Sequence, residues 1–76
     1  MERFEREMIE SEMTTNFELR KLYEQHRDFE TRLQKLSKQS FLTAAEEQEE
    51  RRLKQLKLKG VERMLRMVGN SHGAVA

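Results

Sequence analysis

The apolar residues Leu19, Leu22, Phe29, Leu33 and Leu36 recur at steps of three and four, with His26 filling the one gap. That spacing is a heptad seam along one side of a helix. What most constrains the fold is where the seam stops. Continued at the same spacing it would fall on Ser40, Thr43, Glu47, Glu50, Lys54 and Lys57, all of them polar. A single rod would then bury two carboxylates and two ammonium groups in succession, and an unpaired buried charge is costly. The chain must bend, and its seam must find a partner elsewhere in the sequence.

Capping residues mark where the helices begin. In "TTNFE", Thr15 is an N-cap candidate and Glu18, three residues on, can reach back to the Thr15 amide. The stretch "TAAE" repeats the pattern with Thr43 and Glu46, and Glu46, Glu47, Glu49 and Glu50 suit the positive end of a helix dipole. The sequence therefore predicts helices over about 16–37 and 44–68, joined by a bend over 38–43. There Phe41 and Leu42 would close the apolar end. Gly69 stands where a left-handed C-terminal cap is expected, with a disordered tail over 69–76. The segment 1–14, with Phe4, Met8, Ile9 and Met13 at loosely helical spacing, is a candidate short third helix.

The expected fold class is all-α: an antiparallel hairpin of two long helices that associates into a helical bundle. Folding the chain about residue 41 pairs Leu19 with Met64, Leu22 with Gly60, His26 with Leu56 and Phe29 with Leu53. Gly60 within the second helix implies a close helix approach, room for Leu22 and Tyr23, or an unoptimised position.

The second helix carries more apolar surface than one neighbour can cover. Leu53, Leu56, Gly60, Met64 and Met67 form the face for the first helix, while Leu58, Val61, Leu65 and Val68 form a second stripe roughly 120° away. The N-terminal segment, another copy of the chain, or solvent could meet that stripe. Self-association, with a dimer favoured, is the expected answer, because a two-fold contact would enlarge a core that 76 residues cannot make large alone. An unidentified protein partner is the other candidate for the same face.

Composition excludes several classes. With no cysteine there is no disulfide framework and no thiolate metal site. No apolar run approaches the roughly 20 residues of a membrane span, and "MERFEREMIE" lacks the apolar stretch of a signal peptide. A cytoplasmic protein without membrane contact is expected. Fifteen basic against fourteen acidic residues leave a net charge of +1, so nucleic acid binding would have to rest on a local patch. Arg52, Lys59, Arg63 and Arg66 fall within about 60° on the second helix and supply the one candidate stripe. No interleaved aromatics accompany it to stack on bases, so a solvated helix face is the stronger reading.

No convergent set of catalytic residues is present. The acids of "EEQEE" lie at a helix start, where they serve as dipole partners. There is no phosphate loop, no HExxH and no calcium loop, so neither a cofactor nor a metal is expected. His26 is a candidate pH-sensitive residue by its seam position, although a histidine hydrogen-bonded to a polar neighbour is the stronger reading. The expected role is that of a small non-catalytic interaction protein, with weak nucleic-acid binding as the alternative.

Two segments, "LYEQHRDFETRL" and "LKQLKLKGVERMLRMV", resemble the YdcH family of small bacterial helical-hairpin proteins. The resemblance is carried by Leu22, Tyr23, His26, Phe29, Glu30 and Leu33 in the first. In the second it is carried by Leu53, Lys54, Lys57, Leu58, Glu62, Met64 and Met67, and it spans about 19–68. Gly60 and Val61 depart from the family's Leu and Lys. The resemblance implies a bacterial cytoplasmic hairpin and brings no activity with it.

Overall fold

The computed structural model describes residues 2–71, with side chains through residue 69. Three helices follow in order: α1 (Arg3–Glu12), α2 (Phe17–Ser37) and α3 (Ala44–Ser71). There is no strand among the described residues, so the fold is all-helical.

The short connection between α1 and α2 serves both helices. At the end of α1 the Met13 amide donates to the Ile9 carbonyl (2.9 Å), and the Thr15 hydroxyl turns back to the Glu12 carbonyl (3.4 Å). The N-cap of α2 is Asn16, whose side-chain oxygen accepts from the Leu19 amide at 3.1 Å. The expected Thr15–Glu18 box does not form. Asn caps at least as well as Thr and stands one residue closer to the helix, while the Thr15 and Asn16 amides both donate to the Glu12 carbonyl that ends α1.

At the second bend the expected capping box forms. The Thr43 amide donates to Glu46 Oε1 at 3.0 Å, and the Glu46 amide donates to Thr43 Oγ1 at 3.2 Å. Hydrogen bonds from the Thr43 amide, then from the Gln39 side chain and the Thr43 hydroxyl, hold the Glu46 carboxyl below the usual carboxylate range. Lys38 ends α2 in an ordinary right-handed conformation (φ −83°, ψ −10°), so the turn needs no glycine. Phe41 does not close the apolar end: it is 81% exposed, and only Leu42 of the pair is half-buried.

Gly69 is not a cap either, because α3 runs through it to Ser71. Only residues 69–71 of the expected tail are thus described, and they are helical; residues 72–76, with His72, lie outside the described residues. Helix propensity explains the outcome, since one glycine disfavours a helix by only about 1 kcal/mol, and α3 has 25 residues ahead of it over which to gain by propagation. Gly60 makes no close helix approach: a Cβ built there would meet nothing within 4 Å.

α3 packs mainly against α2, with α1 laid across both. Arg63 of α3 reaches Glu18 near the start of α2 (3.2 Å), and Lys57 reaches Glu30 farther along (3.5 Å). Leu19 and Met64 share one buried cluster, and Leu22, His26, Phe29, Leu56 and Gly60 line one groove; Leu53, expected opposite Phe29, is buried but does not line that groove. The fully buried cluster is Ile9, Leu19, Met64 and Val68, one residue from α1, one from α2 and two from α3. Each such side chain contributes about 1.5–3 kcal/mol by leaving water.

Candidate functional site

His26 is the one polar residue buried in the interior among the described residues, at 4% exposure. The heptad places it on the inner face of α2, opposite α3. Its Nε2 lies 3.4 Å from Glu30 Oε1, one helical turn on, and the other Glu30 oxygen lies 3.5 Å from Lys57 Nζ of α3. Its Nδ1 is buried without a hydrogen-bond partner. Burial pushes the imidazole below its usual value of 6.5; Glu30 opposes that, while Lys57 and Arg6 add to it. The neutral ring is therefore the form this interior favours.

On the α1 side, His26 lines a polar cleft of about 390 Å³ together with Arg6, Glu10, Tyr23, Arg27 and Glu30. The Tyr23 hydroxyl donates to Glu10 Oε2 at 2.8 Å and so ties α2 to α1. Burial, then this bond and the Glu10 charge, raise the phenol above its usual range. Neither Arg6 nor Arg27 forms a side-chain ion pair among the described residues.

The second apolar stripe of α3 is not uniform. Val68 is fully buried with Ile9, Leu19 and Met64, Val61 and Leu65 are half-buried against the same cluster, and Leu58 remains 59% exposed. Within the chain, Ile9 of α1 shares a buried cluster with Val68, at the carboxyl-terminal end of the stripe. The N-terminal segment is thus a real occupant there, although the sequence reading ranked it behind a second copy.

The basic stripe is solvent-exposed at Arg52, Lys59, Arg63 and Arg66, but Arg63 is committed to Glu18. That leaves three cations for any polyanion. No group of three or more His, Asp or Glu side chains could hold a metal ion among the described residues. Nor is any described helix long and apolar enough to cross a membrane.

Sequence reasoning named His26 but missed its neighbours on α1, Arg6 and Glu10, and the Tyr23 bond. The seam alone could not have found them, since a tyrosine beside a seam position satisfies periodicity whatever its hydroxyl meets. The signal lay in Ile9 and Met13, one turn apart, which give α1 an inward face opposite the start of α2. Set against family models, curated proteins and solved structures, the chain matches none of them.

Proposed function

We propose that this chain is a non-catalytic interaction module, an antiparallel helical hairpin of the YdcH-like kind that pairs with a second copy of itself through the part of the α3 stripe that α1 leaves open. Leu58 carries the reading. It stays 59% exposed beside the half-buried Val61 and Leu65, which is the arrangement of an anchor residue whose surroundings are already partly dry.

A two-fold arrangement would place each Leu58 stripe against the other and extend the core into a bundle of helices.

Sedimentation equilibrium tests the reading. The wild type should approach twice the chain mass as concentration rises, and Leu58→Glu should remain at the chain mass with unchanged helical circular dichroism. A wild type at the chain mass at every concentration would sink it. Leu58 is a better probe than Leu65, because Leu65 also packs on the internal cluster. Nucleic-acid binding through Arg52, Lys59 and Arg66 is the weaker proposal, since three phosphate contacts without stacking aromatics would vanish at modest salt.

A further inference from the structure

α1 is the least firmly held element of the fold. It has 10 residues, fewer than the roughly 12–15 at which an isolated helix becomes even marginally stable in water. Its helicity therefore depends on docking, to which the fully buried Ile9 and the Glu10–Tyr23 hydrogen bond contribute. Met8 and Met13 add half-buried contacts. Val68 of the α3 stripe shares the buried cluster with Ile9, and the half-buried Val61 and Leu65 pack against that cluster.

Charges around His26 act on this contact. From α1, Arg6 and Glu10 share its cleft; from α2, Tyr23, Arg27 and Glu30 do. From α3, Lys57 approaches through Glu30, and Lys59 and Arg63 line the groove on the other side. Arg63 is paired with Glu18, and Glu30 holds Lys57 with one oxygen while its other lies 3.4 Å from His26 Nε2; Arg6 and Arg27 are the cleft cations without a side-chain ion pair among the described residues. A proton on His26 would add one more positive charge to a buried position facing Arg6.

We infer that α1 is a releasable cover on α3, and that uptake of a proton by His26 releases it. The opening takes this route because separating α1 breaks fewer apolar contacts than separating α2 from α3, and local opening follows the least costly path. Release admits water to the protonated ring and moves Arg6 away. The sign agrees with the lowered titration of His26: the folded state favours the neutral ring, so this contribution to stability is present above the usual 6.5 and is lost as pH falls through the lower folded-state value. With the reading of α3 as a self-association face, on which this step rests, release would uncover Val61, Leu65 and Val68 to a second copy.

Amide hydrogen exchange, corrected for its intrinsic pH dependence, tests the cover directly. Between pH 7.5 and 5.5 the α1 amides should lose protection while the middle of α2 keeps its own. His26→Gln should abolish the difference, and Arg6→Gln, at an exposed position, should shrink it without disturbing the fold. Equal α1 protection at both pH values, loss from α1 and α2 together, or an undiminished difference in both variants would overturn the inference. Sedimentation of the same samples separates the two ideas: α1 release with no rise in mass would support the cover and sink the self-association reading.

Discussion

The two ends of the molecule are built from the same kind of helix yet differ in how well they bury it. Where α1 joins, four apolar side chains from three helices lie fully buried together. Toward the bend, Leu53 alone is buried, while Leu33, Leu36 and Leu42 stay partly exposed and Phe41 stands 81% exposed. Two cylinders meet along a line and leave their flanks wet; a third laid in the groove encloses a volume. The contrast shows that α1, short as it is, converts a seam into a core.

The largest effect that could break this comparison is truncation at each end. Leu19→Ala should cost about 2–5 kcal/mol, because it opens a cavity in the cluster that all three helices share. Leu33→Ala, at a half-buried position, should cost roughly 1 kcal/mol. Urea denaturation read by circular dichroism would measure both. If Leu33→Ala proved the more damaging, the firm end of the molecule would be the bend and not the three-helix junction.

A smaller test concerns the junction that brings α1 into place. Asn16→Ala removes the acceptor for the Leu19 amide and should cost about 1 kcal/mol. Thr15→Ala removes only an exposed, long hydrogen bond to Glu12 and should cost no more than a few tenths. Equal losses would mean that the cap is shared between the two residues. The smallest effect has the opposite sign: Gly60→Ala should stabilise the chain by up to about 1 kcal/mol, since the added methyl meets nothing within 4 Å and α3 gains helix propensity. A loss of stability there would reveal that the α2–α3 approach is closer than this structure has it.

Much of the fold was legible before any coordinates. The break in the seam after Leu36, the Thr43–Glu46 box and the alignment of Leu19 with Met64 follow from periodicity and capping chemistry, which act over a few residues and hence leave a local mark. The failures also share a cause. Thr15 and Asn16 are both competent caps, and the choice between them follows the backbone of the α1–α2 connection, which presents the Asn16 side chain to the Leu19 amide. Gly69 looks like a terminator in isolation, yet the helix that reaches it is long enough to carry it. Phe41 was expected indoors because it is aromatic, but a bend between only two helices offers no interior to receive it.

By itself, then, the sequence of this protein determined where helices begin, which side of each is apolar, and that the chain cannot continue as one rod, because these depend on side-chain type and spacing within a turn or two. Only the tertiary structure decided that Ile9 of α1 meets Val68 at the end of the second stripe, that Arg63 pairs with Glu18, and that His26 sits buried beside Glu30 with charged groups from all three helices around it. Those outcomes join residues far apart in the chain, and a sequence pattern holds no distance between them until the helices have packed.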